Sequence, residues 1–171
     1  MSVVLKHQSN PALPRTLPSP HSAGIERAAY FGVLLSLLSK VFNSPFCMID
    51  LSAFETGWLE FETPADVFSM PQAMQLPRAL ENRSDPLIIM DTAQDQRFRT
   101  AAEVVAPPFI RFFAGVAVGD YDSSIFGCLC VMDYRPRYFS DHDLRKLQQF
   151  SEIANGILVT ARNERAALHL A

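Results

Sequence analysis

The stretch that decides the fold runs from Pro86 to Leu144: PLIIMDTAQDQRF (86–98), IRFFAGVAVGD (110–120), SIFGCLCVMDYRPRYFS (124–140) and DHDL (141–144). Its apolar runs are short, rich in branched and aromatic residues, and bounded by polar turn formers, which is the pattern of buried strands. Leu87 to Asp91, Arg111 to Val118 and Ile125 to Asp133 are expected as three strands, the last two joined by the polar turn 119–124. Pro107 and Pro108 interrupt a loop that carries one or two helical turns. The final run leads directly into a helix: Ser140 can cap it, Asp143 sits three residues on, and Phe139 and Leu144 flank the cap as a hydrophobic staple. Leu144, Leu147, Phe150, Ile153, Ala154, Ile157 and Leu158 then recur at helical spacing. Beyond Thr160 the chain turns polar and alanine-rich, so that part of the helix is expected to project past the core.

Upstream, residues 1–22 hold Pro11, Pro14, Pro18 and Pro20 among polar residues, the composition of an extended, flexible arm. Residues 23–171 then form the single domain. From Gly24 to Phe42 an apolar face of Phe31, Leu34, Leu35, Leu38 and Phe42 predicts a helix, which Pro45 ends. Pro45 to Ser52 and Gly57 to Glu62 are expected as two more strands, and a short helix is expected around Gln72 to Asn82.

Composition narrows the function. The 171 residues carry 15 basic and 18 acidic side chains, a net charge of −3. With no basic run, neither nucleic acid nor an anionic membrane is a partner. The longest apolar segments fall short of a membrane span, and no secretory leader is visible. The three cysteines lie in strand-like runs, as reduced and buried thiols of a cytoplasmic protein do.

The same stretch resembles the GAF-domain family, in the bacterial subgroup with the patterns D-x-x-x-D-x-R-F, R-F-Y-A-G and G-x-L-C-V-x-D-x-x-P-R-x-F-S. Those positions are here Asp91, Asp95, Arg97 and Phe98; Arg111, Phe112, Phe113, Ala114 and Gly115; and Gly127, Leu129, Cys130, Val131, Asp133, Pro136, Arg137, Phe139 and Ser140. The resemblance covers roughly residues 24–160. It implies an α+β, PAS-related fold: a central antiparallel sheet of five to six strands, N- and C-terminal helices on one face, and loops and short helices on the other. A PAS domain itself fits less well, because its helices sit between strands. The resemblance also implies a signal-sensing module that binds a small ligand or a partner protein. Phe68, Ser69, Met74, Asp91, Phe98, Arg111, Phe113 and Cys130 are the residues expected at its pocket.

Members of the subgroup often carry a Phe-Cys-x-His-like block where this chain reads Phe68-Ser69-Met70-Pro71-Gln72-Ala73-Met74. With neither cysteine nor histidine there, the thiol for a bilin and the ligand for a haem are missing, so no cofactor is expected. Cys128 and Cys130, two apart on a strand, face one side and bring Cys47 to mind as a third thiol, but no histidine or acid completes a metal set. They read as small buried hydrophobes. Free methionine-(R)-sulfoxide reductases are GAF domains that use cysteines, but that chemistry needs an accessible thiol; no catalytic residue is expected, and the chain reads as a non-enzyme. Arg111 either grips an anionic ligand group or pairs with Asp91, Asp95 or Asp133 to tie loops to the sheet; the pairing is the favoured reading. Asp133 and Arg137 read as turn chemistry. The cyclic-nucleotide signature of the family is absent after the fifth strand, where Asp133-Tyr134-Arg135-Pro136 stand.

Tyr30, Val33 and Leu37 form a second apolar stripe beside the core stripe of the first helix, and Ala161 and Leu168 extend the last helix past its core. These five are the expected interface of a homodimer that passes its signal to another protein. The alternative is a ligand-free dimerisation or protein-interaction module.

Overall fold

The computed structural model describes residues 20–51, 61–62, 74–81, 83–119 and 125–169. Helix α1 (Pro20–Phe42) begins four residues before the expected Gly24, with Pro20 in the first-turn position that proline tolerates. Residues 1–19 of the expected arm lie outside the described ones. The helix stops as a Schellman motif. Asn43 takes the left-handed conformation at φ 45, its N–H donates to Lys40 O at 3.3 Å, and Ser44 N–H donates to Ser39 O at 3.0 Å.

Strands β1 (Phe46–Asp50), β2 (Phe61–Glu62), β3 (Leu87–Ile89), β4 (Phe112–Gly119) and β5 (Ile125–Asp133) form one antiparallel sheet in the order β2-β1-β5-β4-β3. The long pair β4–β5 sits off-centre in the sheet and runs in register from Phe112↔Asp133 to Val118↔Gly127, with an irregularity at Val118/Gly119. Two short helices, α2 (Gln75–Arg78) and α3 (Ala102–Val105), lie in the connections before β3 and β4, and α4 (Asp141–His169) closes the chain. Among the described residues, no helix is long and apolar enough to cross a membrane.

Alternation along the strands splits the interior in two. On one face Cys47, Ile49, Phe112, Ala114, Val116, Leu129 and Val131 pack with Phe31, Leu35 and Leu38 of α1 and Leu147, Ala154 and Leu158 of α4. On the other, Met48, Phe113, Cys128, Cys130 and Met132 pack with Leu76 and Leu80, from α2 and the turn after it, and with Val104 of α3. Helices on one side and short elements on the other are the layers expected from the sequence. One expectation fails here. In the β1–β5 register Met48 stands opposite Cys130 and Cys47 opposite Val131, so Cys47 belongs to the helix face and is not a third thiol beside Cys128 and Cys130.

Candidate functional site

The face away from α1 and α4 gathers most of the expected pocket residues. Met74, Phe98, Phe113 and Cys130 are all buried there in a single core. Phe68 and Ser69 lie outside the described residues. Asp91 and Arg111 sit half-buried at the rim, not in the core.

Short-range hydrogen bonds place the rim. Asp91 accepts from Ala93 N–H at 3.1 Å and from Gln94 Nε2 at 2.7 Å, an Asx turn that starts the loop after β3. Asp95 takes Arg97 in a forked pair, Nη2–Oδ2 at 2.7 Å and Nε–Oδ1 at 3.0 Å. That contact holds the Asp95 carboxyl below its usual range and raises Arg97. Arg97 also lies over the Phe98 ring, 5.1 Å from its centroid. Arg111 does not make the carboxylate pair expected of it. Its Nη1 donates to the carbonyls of Val104, Phe109 and Ile110 at 2.9, 3.2 and 3.1 Å, tying the end of α3 to the start of β4. Phe109, in the left-handed region at φ 56, is held in this knot. The charge of Asp133 goes instead to Arg137, at 3.3 Å.

A buried carboxylate that the pattern reading passed over anchors α2. Glu103 is fully enclosed, and its Oε1 accepts from Gln75 N–H at 2.7 Å and Leu76 N–H at 2.9 Å, the first two amides of the helix. Its Oε2 has no hydrogen-bond partner among the described residues. The signal in the sequence was one acidic residue in the apolar run Ala101-Ala102-Glu103-Val104-Val105. Gly115 marks a second close approach: a Cβ there would collide with Leu80 Cδ1 and meet Phe113 Cζ at 2.9 Å.

The thiols are not built for nucleophilic chemistry. All three cysteines are free and buried. Cys130 donates to Cys128 Sγ at 3.5 Å, and Cys128 donates to Pro77 O of α2 at 3.8 Å. Burial pushes the Cys47 thiol up to about 12. Burial first, and then the contact with Cys128, pushes Cys130 up as well. Both stay protonated at neutral pH, whereas attack requires the thiolate. Among the described residues no group of three or more histidine, cysteine or acidic side chains converges on a metal position.

Solved structures share this architecture. The GAF domain region of a Geobacter sulfurreducens protein superposes with a TM-score of 0.62 at 16% identity, covering 82% of this chain and 97% of that one. The fold is that of a GAF domain. The blue-light absorbing form of the PixJ GAF domain of Thermosynechococcus elongatus follows with 0.60 at 17% identity, over 87% and 93%. The GAF domain of an Acinetobacter phosphoenolpyruvate-protein phosphotransferase gives 0.57 at 17%, over 77% and 81%. In sequence, the chain is 24% identical over 134 residues, 78% of its length, to a cyclic di-GMP phosphodiesterase of Pseudomonas aeruginosa. The chain spans 23% of that relative. No protein-family model matches it.

Proposed function

We propose that this GAF domain is a non-catalytic signal-sensing module. It takes a small ligand or partner on the α2–α3 face and transmits the event through α1 and α4 of a homodimer. One observation carries the reading. α1 uses Phe31, Leu34, Leu35, Leu38 and Phe42 for the core, yet Tyr30, Val33, Leu37 and Val41 remain at 61%, 61%, 49% and 50% exposure along a stripe beside it. Spaced by three, four and four residues, they make the kind of seam that a second helix covers, and a second copy of the chain would bury the same stripe twice. Ile153 of α4 is exposed as well; the side chains of Ala161 and Leu168, also expected at the interface, lie outside the described ones. The buried, protonated thiols support a role without catalysis. Three free cysteines suit the reducing cytoplasm. Similarity to part of a cyclic di-GMP phosphodiesterase suits a sensor whose output is nucleotide signalling carried out by other domains or proteins.

Sedimentation of the wild type at about tens of micromolar, where weak domain contacts assemble, is expected to give a dimer. Val33→Glu with Leu37→Glu is expected to give a monomer with unchanged far-UV dichroism. A monomeric wild type removes the transmission element and with it the proposal. The ligand-free interaction module is favoured by one observation, the filling of the space at Gly115 by Leu80 and Phe113. Native mass spectrometry distinguishes the two readings: a retained small molecule on the dimer supports sensing, and a bare dimer supports the interaction module.

A further inference from the structure

We infer that the rim of the sheet at the end where α4 begins is a docking surface for an acidic segment of a partner protein, with Phe109, Tyr134 and Tyr138 as its apolar contacts and Arg135 as its charge. This surface is distinct from the α1 stripe and from the buried α2–α3 core, and it goes beyond the sensing reading.

The exposed large apolar side chains of the described residues fall in two places. Four line α1, with Ile153 on α4; the other five, Met90, Val105, Phe109, Tyr134 and Tyr138, belong to loops and element ends at one end of the sheet. Backbone bonds stitch those loops together. Arg137 N–H donates to Met90 O at 3.0 Å, Arg111 N–H to Asp133 O at 2.7 Å, and Thr92 N–H to Arg111 O at 2.8 Å. The Arg111 guanidinium reaches both Val104 O and Phe109 O. Tyr138 is the most open of the set, at 80% exposure. Single apolar side chains on a surface need no explanation, but a group on adjoining loops marks a contact surface.

Phe109 carries the stronger argument. Its φ of 56 is left-handed backbone, which a bulky side chain rarely adopts and glycine adopts freely. Its N–H donates to Ala106 O at 2.8 Å and its carbonyl accepts from Arg111 at 3.2 Å, yet its ring is exposed and belongs to neither core. Strained backbone that displays a ring outside the core points to a use outside the core. Tyr134 is also held in place: it meets the Phe46 ring edge-on at 6.4 Å between centroids, and the Arg135 guanidinium lies 5.5 Å from its own centroid. Rings fixed before binding lose little freedom when a partner arrives.

The charge left over at this end is positive. Asp91 is taken by Ala93 N–H and Gln94 Nε2, Asp95 by Arg97, and Asp133 by Arg137 and the N–H of Arg135. Arg99 and Arg135 are exposed and, among the described residues, neither has a carboxylate within ion-pair distance. A partner that sets acidic side chains beside apolar ones matches this surface, and a basic one is repelled. A pair of free arginines is too few for a nucleic-acid backbone, whose affinity rests on many phosphate contacts. Tyr134 and Tyr138 stand on the connection from β5 to α4. Phe139, the next residue, packs on Phe42 and Phe112 with centroids 5.6 and 5.5 Å away. A partner seated here therefore touches the segment that joins both terminal helices, where a signal can enter or leave α4.

The test begins with a display library of random peptides panned on the full chain. Peptides that combine acidic with aromatic or aliphatic residues are expected to be enriched, and one of them, dye-labelled, becomes the probe for fluorescence anisotropy. Phe109→Gly is expected to keep or raise the urea midpoint, because glycine relieves the backbone, and to weaken the probe by about tenfold, as loss of a main apolar contact does. Tyr138→Ser is expected to weaken it similarly. Arg135→Glu is expected to lose the acidic probe and to gain its lysine-substituted counterpart. Val33→Glu with Leu37→Glu is expected to leave the probe's affinity unchanged. Enrichment of no peptide, or of basic ones, overturns the inference. So does affinity that survives both Phe109→Gly and Tyr138→Ser, or a single-stranded oligonucleotide that binds equally well through the same residues. If the rim variants dissociate a wild-type dimer in sedimentation, the occupant is a second copy and the inference fails. If Phe109→Gly lowers the urea midpoint, Tyr138→Ser decides, and unchanged affinity in it overturns the surface. A monomeric wild type that still binds the probe removes the homodimer reading alone.

Discussion

Arg137 closes the ends of several elements with one side chain. Its Nη2 donates to Phe42 O at 2.6 Å and its Nη1 to Asn43 O at 3.4 Å, which satisfies carbonyls at the end of α1. It pairs with Asp133 at 3.3 Å and lies 5.7 Å from the centroid of the Phe112 ring. Its own N–H donates to Met90 O at 3.0 Å. Arg137→Ala is therefore expected to lower stability by about 1–3 kcal/mol, because charged hydrogen bonds are lost and carbonyls stranded. Arg137→Lys is expected to recover little of that, since a single ammonium nitrogen lacks the planar fork whose two nitrogens reach the two carbonyls; urea midpoints of the three proteins check this. Gly127 has a different reason to be fixed. A Cβ there would run into the Asp50 carbonyl and Leu51 Cα, which are backbone and cannot swing aside. Gly127→Ala is expected to cost about 2–3 kcal/mol, the upper range of overpacking, read in the same denaturation. Both residues stood out in the sequence as motif positions, but neither partner did. The carbonyls that Arg137 reaches lie 94 and 95 residues away, and no local pattern encodes a contact of that range. Arg111 shows the converse: its position was legible, yet its guanidinium donates to three carbonyls in place of the expected carboxylate.

Among the elements, α4 was the most legible. Its capping box forms as the spacing predicts: Asp143 N–H donates to Ser140 Oγ at 3.2 Å, and Asp143 Oδ2 accepts from Ser140 N–H at 3.1 Å and from its hydroxyl at 2.6 Å. Ser140→Ala is expected to cost about 1 kcal/mol. The bonds from Ser140 hold the Asp143 carboxyl below the ordinary 3.8. A lowered folded-state value means that this stabilisation is complete above 3.8 and is lost as pH falls below it, through the folded value. Asp95 has the same sign through Arg97. Urea midpoints are thus expected to fall on the acid side of that value, less steeply in Asp143→Asn. β4 and β5 were also read to within a residue, since each is a continuous apolar run, buried on both faces and bounded by polar turn residues. The face of Cys47 was not legible, because face depends on which residue of β1 meets β5, and a one-residue slip reverses it. α2 was expected around Gln72 to Asn82 and, among the described residues, spans only Gln75–Arg78; Glu103, from 28 residues away, fixes where it starts.

At the scale of the whole molecule, the sheet is one layer between two cores, and β1, β3, β4 and β5 each touch both. Phe112 and Ala114 face the helices while Phe113 and Gly115 face α2, so a displacement on one side has a covalent route of one residue to the other. The sensing reading needs that route to carry energy, and Gly115 offers a way to push on it. A methyl group there drives against Leu80 and the Phe113 ring, both on the α2 side, while the α1 stripe of Tyr30, Val33 and Leu37 is untouched. Gly115→Ala is expected to raise hydrogen exchange across residues 75–81, where few elements hold the backbone. Exchange in β5, the central strand, is expected to stay slow. If the two faces are coupled, the same variant shifts the dimer dissociation constant by about fivefold or more, the lower end of ordinary coupling energies, as measured by sedimentation equilibrium. Faster exchange at 75–81 with an unmoved dissociation constant would mean that the sheet insulates the two cores, and that whatever the α2–α3 face binds does not reach the helices.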